Sequence, residues 1–397
     1  MKSRTSTTST RLWDAITSLK LTIVCLAALM VLVVANTLAQ VNLGTFGATE
    51  RFMRTWLVWW DVPGTALRIP VFAGGALVGT VLMVNLIAAQ GRRLELSWKK
   101  AGLWIIHAGL ILLFVGEFVS GALQVETQLA VEEGQTVDFV EAPRELEVAV
   151  IDVTDPAHDD VYSIAERRLA RGGTIELPGT PLQLRVVRYF RNAALSMRTP
   201  ADPPTPVTAG IGAAVAVREL PPVARDDMQN RGAAFVEPVA GGRSRGTFLV
   251  SNALEAPQTF EHEGRTWLIL MRNRREYLPY TMTLKDFRHD VYPGTSIPKN
   301  FSSLVHLVNP TTGENRDVLI YMNQPLRYDG KAFYQSSFGK NDTLSILQVV
   351  ENPGWLLPYV STALVTLGLL VHFGITLRRS QRRRQAAAAP GAQPAEA

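Results

Sequence analysis

Apolar residues in this chain gather in four runs, at 18–39, 68–89, 101–121 and 355–377. Each is about 20 residues long, enough to cross a hydrocarbon core of about 30 Å as a helix. The pattern predicts a polytopic α-helical membrane protein with four transmembrane helices. Between the third and fourth runs, residues 122–354 are mostly polar and carry short β-prone runs. These fall at 123–128, 146–153, 182–190, 247–251, 266–272, 280–287, 303–309, 316–322, 332–338 and 343–350. Glu-Gly, Pro-Gly, Asn-Pro and Asp-Gly pairs punctuate them, so a β-rich antiparallel sandwich or barrel-like domain is expected. Residues 197–246, with Pro203-Pro204, Pro206, Pro221-Pro222 and Gly241-Gly242, interrupt the pattern and predict a long, partly disordered loop. The Ala-, Pro- and Gln-rich tail after Arg384 reads as unstructured.

Charge orients the chain. Basic residues flank the first run (Lys2, Arg4, Arg11, Lys20), fill the 90–100 segment (Arg92, Arg93, Lys99, Lys100) and follow the last run (Arg378, Arg379, Arg382, Arg383, Arg384). With four spans all three clusters fall on one side, which the positive-inside rule makes cytoplasmic. Both termini, 1–17 and 378–397, are then expected inside, with the 40–67 loop and the 122–354 domain exported across the cell inner (cytoplasmic) membrane. The net charge of +5 therefore reports topology, and no nucleic-acid footprint is expected. The first run is too long for a cleaved signal peptide. The single cysteine, Cys25, lies in that run, so the chain carries no Cys-x-x-Cys and has no thiol–disulfide chemistry of its own.

Candidate chemistry concentrates in the third run. His107 sits about 9 Å from its cytoplasmic end at 1.5 Å per residue, and an ionisable group there suggests function. Trp104, Ile111, Phe114 and Phe118 share its helical face and would make an apolar, aromatic wall suited to haem, with imidazole as axial ligand. The competing reading is a neutral histidine hydrogen-bonded to a neighbouring helix. His372 is expected at similar depth in the fourth run, either as a second ligand to one iron or as a histidine reaching the headgroups beside Arg378. Glu117 reads as a water-facing or interfacial carboxylate. Asn36, Asn85 and the Gly75-x-x-x-Gly79 pair read as helix packing, and Trp56 with Trp59-Trp60-Asp61 as an aromatic belt. His158, His262, His289 and His306 show no metal-ligand spacing. Neither a phosphate loop nor a nucleophile elbow is present.

Several stretches, taken in order, resemble the ResB/CcsB-type proteins of system II cytochrome c biogenesis. Leu12-Trp13-Asp14 and Ser18-Leu19-Lys20-Leu21-Thr22 open the first helix. Trp104-Ile105-Ile106-His107-Ala108-Gly109 lies in the third. Leu284-Lys285-Asp286-Phe287, Pro298-Lys299-Asn300-Phe301-Ser302-Ser303, Met322-Asn323-Gln324-Pro325-Leu326-Arg327-Tyr328 and Phe333-Tyr334-Gln335-Ser336-Ser337 follow in the exported block. Pro353-Gly354-Trp355 then leads into the last helix. The resemblance implies a non-catalytic or co-catalytic subunit of a membrane cytochrome c synthase. It would work with a CcsA/ResC-type haem-handling partner to carry b-type haem across the membrane and ligate it to exported apocytochrome c. It also implies that His107 helps hold haem, that the partner supplies another ligand, and that separate thioredoxin-like proteins reduce the client thiols. The tryptophan-rich haem motif belongs to the partner in that family, so Trp59-Trp60-Asp61 is not given that role. The alternative is a structural scaffold that stabilises the partner without contacting haem.

Overall fold

The computed structural model describes residues 8–65, 67–93, 97–223, 229–254, 256–295, 297–340 and 342–388. It divides into two units. One comprises the chain up to Gln124 together with Asn352 onward, and the other runs from Val125 to Glu351. Lys2, Arg4 and the end of the C-terminal tail lie outside the described residues.

The first unit is helical. It contains α1 (Thr8–Ile16), α2 (Leu19–Phe52), a hairpin of β1 (Leu57–Asp61) and β2 (Arg68–Ala73), and α3 (Gly75–Arg93). A 3-10 turn at Trp98–Lys100 leads into α4 (Ala101–Leu123). The last helix of the unit is Leu357–Ala388, numbered α6 in chain order. Four of these helices are long and apolar enough to cross a membrane: Leu19–Phe52, Gly75–Arg92, Trp98–Leu123 and Leu357–Gln385. Two boundaries differ from the sequence reading. The first apolar helix does not stop at Ala39; α2 continues to Phe52 and bends at Gly44, whose φ of 71° is open to a residue without Cβ. The second does not begin at Arg68. Residues 68–73 pair instead with 57–61, and α3 starts where Gly75 lets the chain pass against the Met53 backbone. The expected 40–67 loop is thus mostly helix and strand.

Polar groups inside this unit tie helix ends together. Buried Asn85 accepts from the Thr22 hydroxyl at 2.6 Å and donates to the carbonyls of Ile16 (2.5 Å) and Ser18 (3.2 Å). Arg92 pairs with Asp14 at 2.5 Å and donates to Thr17 at 2.8 Å. Asn85 therefore anchors α1 and the start of α2, as expected of a packing residue. Gly79, by contrast, approaches nothing.

The second unit is β-rich. It begins with β3 (Val125–Glu132), β4 (Thr136–Asp152) and β5 (Asp160–Ala165), then the short helix α5 (Glu166–Ala170). Next come β6 (Gly173–Glu176), β7 (Leu182–Phe190), β8 (Ala193–Met197), β9 (Val215–Glu219), β10 (Ala233–Ala240), β11 (Arg243–Ser244), β12 (Phe248–Ser251) and β13 (Gln258–His262). It ends with β14 (Arg265–Val291), β15 (Pro298–Asn309), β16 (Glu314–Tyr321), β17 (Leu326–Tyr328), β18 (Lys331–Gly339) and β19 (Leu344–Glu351). All the pairings between these strands are antiparallel. One sheet runs β16-β15-β14-β4-β3-β19-β18-β17. Its residues Leu129, Val137, Met282, Leu284, Val305, Phe333 and Leu347 fill one core. A five-stranded sheet built on β10 and β7 packs over a second core with Val148, Leu184, Val236, Phe248, Trp267 and Ile269. β4 and β14 contribute to both cores.

The loop expected over 197–246 is interrupted by regular elements, a 3-10 turn at Ile211–Ala214 with β9, β10 and β11, while 198–210 and 220–223 carry no helix or strand. β10, read as Ala-Ala-Phe-Val-Glu-Pro-Val-Ala, is buried along nearly its whole length between β7 and the β11/β12 strands. Its small residues and proline hid it from a propensity reading. Pro238 is tolerated there because β12 pairs with 233–236 and β11 with 239–240. The prolyl nitrogen faces the gap between them, where its own carbonyl accepts from Arg245 N at 2.8 Å.

Candidate functional site

Three glycines shape α4. Gly102, Gly109 and Gly116 recur every seventh residue and are buried. A Cβ at Gly102 would stand 2.5 Å from His372 N, one at Gly109 3.0 Å from Ser361 O, and one at Gly116 2.8 Å from Leu357 Cβ. The order of those contacts makes α4 and α6 antiparallel, with backbones in close approach, as small residues permit between apolar helices. The Ser361 hydroxyl donates to Gly109 O at 3.0 Å across the seam.

His107 lies away from that seam. At about 100° per residue it is roughly 140° around the helix from Gly102, while Ile111, Phe114 and Phe118 fall within about 40° of it and Trp104 at about 60°. Phe114 packs on the cluster formed by Cys25, Leu32, Val58, Val78 and Leu82, so this face of α4 looks towards α2 and α3. The aromatic wall read from the sequence is therefore one face of the helix, although Phe118 is exposed. Half-buried His107 holds its Nδ1 2.7 Å from Leu103 O, one turn back. A carbonyl can only accept, so the contact is a hydrogen bond when Nδ1 carries the proton, and in the neutral ring of that tautomer the lone pair is on Nε2. An imidazole held in this way presents the nitrogen that ligates metal.

His372 is placed differently. Its backbone is what Gly102 packs against, and its ring meets Phe373 edge-on at 5.8 Å. His107 is five residues further along α4 than Gly102, about 7.5 Å, and on the opposite face. The two histidines are not brought together for one iron. Glu117 is exposed on α4. Among the described residues no group of three or more His, Cys, Asp or Glu side chains is arranged to hold a metal ion.

In the β unit the histidines sit in polar or aromatic surroundings. His306 Nδ1 is 2.6 Å from Asp317, and the Lys285 ammonium, with His306, holds that carboxyl below the usual range. His289 stacks on Phe301 with ring centroids 4.6 Å apart and meets Asp342 at 3.2 Å.

A unit with four long apolar helices and a β unit of antiparallel strands define the class. Within the β unit, residues 244–346, from β11 into β19, match the ResB-like family. The motifs Leu284–Phe287, Pro298–Ser303, Met322–Tyr328 and Phe333–Ser337 lie inside the match, so the resemblance read from the sequence stands. Among characterised proteins, Protein NrfI of Wolinella succinogenes is 37% identical over 93 residues. That alignment covers 23% of this chain and 10% of the longer relative.

Proposed function

We propose that this chain acts in cytochrome c maturation as a membrane subunit that holds haem within the bilayer and passes it towards exported apocytochrome c. The observation that carries the reading is the ResB-like match over 244–346. The geometry of His107 supports haem as the cargo: its Nδ1 lies 2.7 Å from Leu103 O, which leaves Nε2 for a ligand beside an apolar aromatic face. The porphyrin supplies iron that accepts an imidazole nitrogen. The chain supplies that nitrogen and an apolar wall beside it. Because the wall faces α2 and α3 and not α6, His372 is left out of the ligand set. A CcsA/ResC-type partner would supply a further haem ligand, and separate thioredoxin-like proteins would keep the client cysteines reduced, since this chain's one thiol is buried in α2.

The cellular test is complementation of a strain lacking this gene. The wild-type gene restores haem-staining c-type cytochromes, and His107→Ala restores them poorly at equal protein level. Full restoration by His107→Ala would leave only the scaffold role.

A further inference from the structure

The β1–β2 hairpin is tied to the helices at its base but leaves its apolar side chains uncovered. Gly74 N donates to Trp56 O at 2.9 Å, Ala76 N to Thr55 O at 3.2 Å, and Val58 is buried with Val78 and Leu82. Beyond that base, Trp60 and Ile69 pair on one face and Trp59 lies opposite Pro70 on the other. Trp60, Val71 and Leu67 are 49%, 54% and 58% exposed. An isolated two-stranded hairpin is marginal in water, and an apolar patch of this kind marks an interaction surface.

The geometry points to the lipid headgroup layer as the occupant: we infer that strands β1 and β2 form an interfacial hairpin lying in the outer membrane–water boundary. This rests on reading α2 and α3 as spans, not on haem. From Leu19 to the bend at Gly44, α2 is about 39 Å long at 1.5 Å per residue. That exceeds a core of about 30 Å, so the bend at Gly44 and the hairpin after it fall beyond the hydrocarbon. Tryptophan is enriched at that depth. Arg51, Arg54 and Arg68 surround the hairpin against only Glu50 and Asp61, which leaves a net positive charge for lipid phosphates. Apolar side chains project from both faces. A headgroup layer entered edge-on covers both, whereas a flat protein surface covers one.

Nitroxide depth measurement on the full chain in lipid nanodiscs tests this. In a Cys25→Ala parent, spin labels go on Ile69→Cys and Val71→Cys. Val34→Cys in α2 serves as the lipid control and Val187→Cys on β7 as the water control; both valines are exposed. The hairpin labels are expected to favour oxygen over a water-soluble nickel chelate, with a ratio between the two controls. A ratio equal to that at Val187 overturns the inference, as does shielding from both relaxants, which marks protein cover. If Val34 itself reads as water-exposed, the span reading fails along with the inference, and the proposed haem role is tested separately at His107.

Discussion

A histidine inside an apolar helix has two nitrogens to satisfy, and at His107 the Leu103 carbonyl takes one. With α4 read as a membrane span, Nε2 is the atom left in need of a partner, because an unpaired nitrogen in an apolar surrounding costs free energy. His107 is legible in the sequence because an ionisable residue stands out in an apolar run. A pairing with His372 does not follow from that. Depth can be counted from helix ends, whereas azimuth depends on which face each helix packs. The signal for azimuth is present in Gly102, Gly109 and Gly116, whose seven-residue spacing marks the seam with α6. At this scale the expectation is that His372→Ala keeps the haem absorbance of the wild-type complex. A large loss on that substitution would place His372 in the ligand set after all.

At the scale of elements, the glycine seam and the longest strand carry the clearest consequences. Gly109→Leu drives a side chain into the Ser361 and Val365 backbone. Overpacking costs about 1–3 kcal/mol, so a lower midpoint of thermal unfolding in detergent is expected. Gly121→Ala is the mild comparison, since no atom lies within 4 Å of a Cβ there. An equal effect of the two would remove the seam as a packing determinant. The strand β14 reads in sequence as two separate strands, 266–272 and 280–287, because Arg274-Arg275-Glu276 breaks the alternation. The structure keeps one strand there because β4 supplies carboxylates across the ladder: Glu147 to Arg272 (2.8 Å), Glu145 to Arg274 (2.6 Å) and Glu141 to Arg275 (2.9 Å). The first pair is buried, with Ser163 also donating to Glu147. Removing one partner of such a pair costs about 3–5 kcal/mol. Arg272→Ala should therefore destabilise the domain strongly, and Arg272→Met with Glu147→Gln less than the sum of the singles. Additive losses would show that the pair does not couple.

At the scale of the whole molecule, four apolar runs make the helical unit legible in the sequence, while the second core of the β unit escapes it. That core depends on β10, whose alanines and proline resemble a loop until β7 and β12 enclose it. Its one carboxylate, Glu237, takes the Ser244 hydroxyl and the Arg185 guanidinium, which outweigh the cost of burial and hold it below the ordinary glutamate value. Asp152 is likewise lowered: burial opposes ionisation, but Thr154 and Arg265 prevail. A depressed folded pKa gives stability that is complete above the unfolded value, about pH 4, and is lost as pH falls through the folded value. Unfolding midpoints of the full chain in detergent should thus fall on acidification below about pH 4, and Glu237→Gln should flatten that fall. An unchanged slope in the variant would remove Glu237 from the account. The proposed hold of His107 Nε2 on haem iron is tested most directly by the Soret absorbance of the chain purified with a CcsA/ResC-type partner. The wild-type complex should carry a bis-ligated haem signal that His107→Ala largely loses and that added imidazole restores in His107→Gly. Full, unshifted absorbance in His107→Ala would contradict it.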